Sequence, residues 1–84
     1  MALSGVLPST AAHVVPTPRI VVPTAVTLKS ALAGRLIELS TDGGVEYFTP
    51  SVDNTSATMQ VVAIKAPVTH VRLTGSANDA WSIL

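Results

Sequence analysis

From residue 35 onward, apolar and polar side chains alternate in short runs broken by Gly, Pro, Asn and Asp. That period of two marks half-buried strands. Residues 35–40 (RLIELS) and 45–49 (VEYFT) flank Thr41-Asp42-Gly43-Gly44. Asp-Gly followed by a second glycine between such runs predicts a hairpin. Pro50 ends the second strand, and residues 51–56 (SVDNTS) form a polar turn cluster. Residues 58–65 (TMQVVAIK) predict a third strand, closed by Ala66-Pro67. In residues 68–74 (VTHVRLT), Thr69, Val71 and Leu73 share one face, and His70, Arg72 and Thr74 the other. A turn at 75–79 leads to residues 80–84 (AWSIL), a terminal strand with Trp81 and Ile83 on a common face. Residues 27–33 (TLKSALA) predict about one helical turn, stopped by Gly34. Strands at this spacing predict an all-β fold, a small antiparallel sandwich or barrel of five or six strands.

The leading segment reads differently. Four of the six prolines (Pro8, Pro16, Pro18, Pro23) fall within the first 23 residues. Each fixes φ, removes a backbone donor and pushes its predecessor toward extended geometry. The chain therefore divides into an extended proline-rich N-terminal arm, 1–28, and a β domain, 29–84. The arm is too apolar for a free linker, so it is expected to be held by pairing with a sheet, on this chain or a neighbour. Its partner-binding candidates are Val14, Val15, Pro16, Pro18, Ile20, Val21, Val22 and Pro23.

Composition sharpens this picture. A chain of 84 residues is one small domain with a thin core. Only 12% of residues are charged, and five basic residues balance five acidic ones. A nucleic-acid partner calls for a basic excess, which is missing. A hydrophobic fraction of 48% argues against disorder. With no cysteine, disulfides and zinc–thiolate sites are excluded. The apolar runs are far shorter than the ~18 residues of a membrane-crossing helix. The stretch MALSGVLPSTAAHVV has no basic start and carries Pro8, unlike a secretory leader.

Candidate chemistry is sparse. His13 and His70 have no metal-ligand spacing, and His70 reads as a surface residue alternating with Arg72. Ser82, His70 and Asp79 supply the residue types of a nucleophilic triad without any motif around the serine. Glu38 and Glu46 flank the predicted turn, with Arg35, Lys65 and Arg72 as partners on a solvent face. Asp53-Asn54 and Asn78-Asp79 carry oxygen ligands but lack a calcium-loop pattern. Gly43-Gly44 precedes no helix that could complete a phosphate site. Asn54-Thr55-Ser56 matches a glycosylation sequon. The aromatics number three: adjacent Tyr47 and Phe48, which point to opposite faces, and Trp81, which reads as a core plug. These residues predict no enzyme, no cofactor and no metal.

The stretches GRLIELSTDGGVEYFTPSV and PVTHVRLTGSANDAWSIL carry the patterns G-R-x-I-x-x-S-T-D-G-G and P-V-x-x-V-R-x-T-G-x-x-x-D-x-W-x-I in style. Across residues 34–84 the chain resembles small β-rich virion structural proteins of tailed bacteriophages, which decorate the head or build neck and tail parts. The resemblance carries no catalytic signature, so no residue role comes with it. It implies a homo-oligomer, with a trimer favoured, located in the virion and held on the major coat protein or other virion proteins through its arm. The expected function is that of a capsid decoration or cement subunit. The alternatives are a neck, tail or head-fibre component, or a saccharide-binding adsorption module. Neither nucleic acid nor membrane is an expected partner.

Overall fold

A computed structural model describes residues 3–17 and 22–83. In chain order the strands are β1 (Leu3–Val6), β2 (His13–Pro16), β3 (Thr24–Lys29), β4 (Leu36–Ser40), β5 (Asn54–Thr55), β6 (Gln60–Ile64), β7 (His70–Thr74) and β8 (Ala80–Ile83). They form two antiparallel sheets, one ordered β1-β8-β3-β6-β5 and the other β2-β7-β4. The fold is all-β, as its alternation predicts, with eight strands among the described residues in place of the expected five or six, and it is not clearly a closed barrel.

The segment from β7 to β8 is the spine of both sheets. It bends at residues 75–79, so that β7 lies in the smaller sheet and β8 in the larger. On one flank β1 pairs β8 and β2 pairs β7, with one register kept across the corner, from Leu3 opposite Ile83 to Pro16 opposite His70. On the other flank β3 pairs β8 and β4 pairs β7. At the corner the Leu7 amide donates to the Asp79 carbonyl, and the Asn78 amide donates to the Leu7 carbonyl, both at 2.8 Å. Gly75 makes room there: a Cβ would sit 2.8 Å from Leu7 Cδ1 and 3.1 Å from Ser30 Oγ. Any larger residue would displace these side chains.

The inward positions of these strands build a single core that includes Leu7, Val26, Leu28, Ile37, Val71, Leu73 and Ile83. Val71 and Leu73 point inward from β7, while His70, Arg72 and Thr74 remain half-buried on its other face, as the alternation predicts. Residues 35–40, 58–65 and 80–84 likewise contain β4, β6 and β8.

Three further expectations change. The helical turn at 27–33 is absent, because Thr27–Lys29 finish β3. There Leu28 faces Trp81 across the ladder, and Val26 and Leu28 are buried on one side. A strand buries these alternating residues on one face, which a single helical turn could not do. The boundary at 28/29 falls inside β3, and residues 3–17 are built into both sheets. Residues 3–6 and 13–16 are extended, with a bend at 8–11 between them, and the sheets that hold them are their own chain's. Residues 45–49 do not form a strand; only Phe48 bridges to Leu39. The cause is the turn. Gly43 and Gly44 both take positive φ (82° and 85°), and the Asp42 carboxylate accepts the Glu46 amide at 3.0 Å. The chain wraps around Asp42 as a loop instead of returning directly as a hairpin.

Candidate interaction surface

The largest polar constellation lies on the outer face of the three-stranded sheet. Register places Glu38 of β4 opposite Arg72 of β7, and Arg72 opposite Val14 of β2. Arg72 donates from Nε to Glu38 Oε1 at 2.9 Å and from Nη2 to Oε2 at 2.8 Å. The Tyr47 ring covers the guanidinium, with Cζ 4.0 Å from its centroid. The hydrogen bonds to Glu38 raise the Arg72 pKa above its ordinary value, outweighing partial desolvation. The pair is therefore a fork-to-fork clamp with an aromatic lid. A guanidinium engaged in this way stitches β4 to β7 and is poorly placed to capture an anion.

Next to it, Ser40 and Asp42 organise the loop. The Ser40 hydroxyl donates to Asp42 Oδ1 at 2.8 Å and accepts the Gly44 amide at 3.0 Å. The Glu46 amide, then the Ser40 hydroxyl, hold the Asp42 carboxyl below its usual 3.8. Hydrogen bonds to the ionised form have this effect.

The other sequence candidates are dispersed. Ser82 lies in the five-stranded sheet and His70 in the three-stranded one, while Asp79 accepts the Ser76 amide at 2.7 Å. No triad is assembled. His13 and His70 occupy opposite ends of the β2–β7 pairing. Among the described residues no three His, Asp or Glu groups gather for a metal. Asp53 accepts the Ala63 amide, and Asn54 pairs with Val61. Asn78 takes φ 69° in its turn. Each of these Asx residues has a structural task.

The arm candidates also divide. Val15 is core, Val14 and Pro16 face outward from β2, Val22 packs against the core and Pro23 is exposed. Pro18, Ile20 and Val21 lie outside the described residues.

Apolar surface gathers instead at the 41–53 loop. Phe48 (50% exposed) and Pro50 open onto a cleft of about 260 Å³, floored by Leu39, Ile64, Pro67 and Val68. Val45 and Val52 are also exposed, at 80% and 42%. Of the aromatics, Phe48 alone offers a half-exposed ring: Tyr47 lies over Arg72, and Trp81 packs against the core with its Nε1 enclosed and unpartnered. The cleft's residues come from separate stretches of chain, and nothing in their local pattern marks them as neighbours. Arg35, expected as a partner of Glu38 or Glu46, is engaged elsewhere. Its guanidinium donates to the carbonyls of Leu32 (3.3 Å), Ser56 (2.6 Å) and Ala57 (3.4 Å), tying the β5–β6 turn to the β3–β4 connection.

No family model, curated protein or solved structure matches this chain.

Proposed function

We propose that this chain is a non-enzymatic structural subunit of a virion, a decoration or cement protein on the coat lattice. One observation carries the reading: in a chain with few charges, Phe48, Val45, Val52, Val6 and Val14 stand outside the core. Exposed apolar side chains of this kind suit the core of a protein interface. Supporting it, the polar groups that resemble chemistry are engaged in holding loops and strands, Arg72 with Glu38 and Asp42 with Ser40.

Within this reading, the leading segment presents Val14 and Pro16 to a neighbour, while Val15 keeps β2 on its own sheet. The Phe48 cleft is the second surface offered. The test compares coat shells with and without the protein. Occupied shells should release genome at a higher temperature, and equal release would refute the cement role. Phe48→Ser should weaken shell binding several-fold with the fold intact. Hundreds of copies per particle fit lattice decoration, and about a dozen would move the subunit to the neck or tail.

A further inference from the structure

We infer that β1 is a self-pairing edge: two copies of this chain join their β1 strands antiparallel about a two-fold axis. The inference does not rest on the virion reading.

A sheet edge exposes backbone donors and acceptors, and proteins protect such edges with proline, charge, short length or a cover. The other edges here are protected in these ways. β5 is only Asn54–Thr55. β4 is bridged by Phe48, whose amide and carbonyl both bond Leu39 (2.9 and 3.0 Å). For β2, the Thr17 amide donates to the Thr69 carbonyl at 2.9 Å. Alternation then turns Val15 and His13 toward β7, and Pro16 and Val14 outward. The missing N–H of Pro16 falls where an incoming strand would need one.

β1 runs along the same spine with none of these devices. The Leu7 amide donates to Asp79, so Leu7, Gly5 and Leu3 turn to β8, and Ser4 and Val6 turn their N–H and C=O groups outward. The strand is LSGV, without charge or proline, and Ser4, Gly5 and Val6 are all exposed, Val6 at 57%. Nothing among the described residues pairs with this side.

The geometry selects a second copy as the occupant. Centred on Gly5, the strand is its own complement: Ser4 faces Val6 of the second copy, Val6 faces its Ser4, and Gly5 faces Gly5. The outward N–H and C=O groups of Ser4 and Val6 in one copy then meet those of the other. Beneath Gly5 the core face is filled by the Trp81 ring, 3.1 Å from where a Cβ would stand. The chain has no charge on β1 to repel its twin. Isologous pairing of this kind closes as a dimer, not as the trimer that the phage resemblance implies. A four-residue edge buries far less than the ~1,200 Å² of a stable interface, so the dimer dissociates on the order of 0.1–1 mM. Subunits crowded on a surface would exceed that concentration locally.

Because the chain has no cysteine, register can be read by crosslinking. Ser4→Cys and Val6→Cys proteins, mixed at about 1 mM under a mild oxidant, should give the mixed dimer several-fold beyond its statistical share. Homodimers in statistical proportion, or crosslinking no greater than with Val45→Cys, would overturn the inference. Ser4→Pro removes an outward donor while leaving the β8-facing bonds, so it should reduce self-association in sedimentation at least several-fold at an unchanged melting temperature. Unchanged association, or an edge that pairs with coat protein but never with itself, would overturn it equally.

Discussion

Residues 3–17 and residues 41–53 look alike in one respect: both carry branched or aromatic apolar side chains between turn formers. They end in opposite situations. The first puts Leu7, Val15 and Thr17 into the core, at 0%, 7% and 1% exposure, and the second leaves Val45, Phe48 and Val52 in solvent. The difference lies in what each can pair with. Residues 3–6 and 13–16 keep one antiparallel register on either side of the corner, and Leu7, Val15 and Thr17 reach the core. Residues 41–53 start from a turn held around Asp42 and meet β4 only at Phe48. Apolarity makes burial favourable, but continuous register decides which apolar residues obtain it.

The strongest test of that contrast is removal of residues 1–17. This deletes two strands along with Leu7 and Val15, whose burial alone contributes roughly 3–6 kcal/mol. A domain of this size has only about 4–12 kcal/mol of net stability. The truncated chain should lose amide dispersion in NMR and its cooperative urea transition. A truncated protein that melts like the full chain would restore the leading segment to a dispensable arm.

Leu7→Ala asks the same question at one position. Leu7 is fully buried at the corner beside Gly75, and large-to-small changes at such sites cost about 2–5 kcal/mol. Phe48→Ala, at a half-exposed ring, should cost about 1 kcal/mol or less by comparison. Urea midpoints that fall equally for the two variants would erase the distinction between the segments.

These contrasts explain which parts of the fold were legible in the sequence. In β4, β6, β7 and β8 the inward residues recur at every second position between clear turn signals, so local pattern and tertiary burial agree. In residues 27–33, TLKSALA has helix-compatible residues, but Leu28 faces Trp81 from a distant stretch of chain, a partner no local window contains. Of the leading prolines, Pro16 lies in a strand as expected, while Pro8 and Pro23 sit in bends. The prolines could not reveal that Pro16 points away from β7, leaving β2 free to pair. For the surface, Arg72 and Glu38 were foreseeable as partners. The Phe48 cleft and the Arg35 tie depend on loops meeting in space.

A smaller effect separates pairing from packing within the first segment. The Thr17 hydroxyl donates to the Val68 carbonyl at 2.9 Å inside the core. Thr17→Val keeps the shape and removes the donor, which should cost about 1 kcal/mol. Double-mutant comparison with Leu7→Ala should be additive within ~0.5 kcal/mol, since the two sites share no partner. Strong coupling would mean that the segment docks as one unit.

The smallest effect concerns the loop itself and depends on pH. The Asp42 carboxyl sits below its ordinary 3.8 because the Glu46 amide and the Ser40 hydroxyl bond its ionised form. A carboxyl lowered in the folded state stabilises the fold above its unfolded pKa, and that contribution is lost as pH falls through the folded value. Asp42→Asn keeps an acceptor oxygen but carries no charge at any pH. Its melting temperature should therefore lie slightly below that of the parent from about pH 5 upward, with the gap closing as pH drops below about 4. The loss should stay local. Hydrogen exchange should speed up at the Phe48 amide, which depends on the loop's path back to Leu39, and leave the Leu7 amide unchanged, because its partner Asp79 lies at the β7–β8 corner. A gap that persists at low pH would assign the turn to its two glycines rather than to the carboxylate. Faster exchange at Leu7 would show that the two segments, so different in burial, open together.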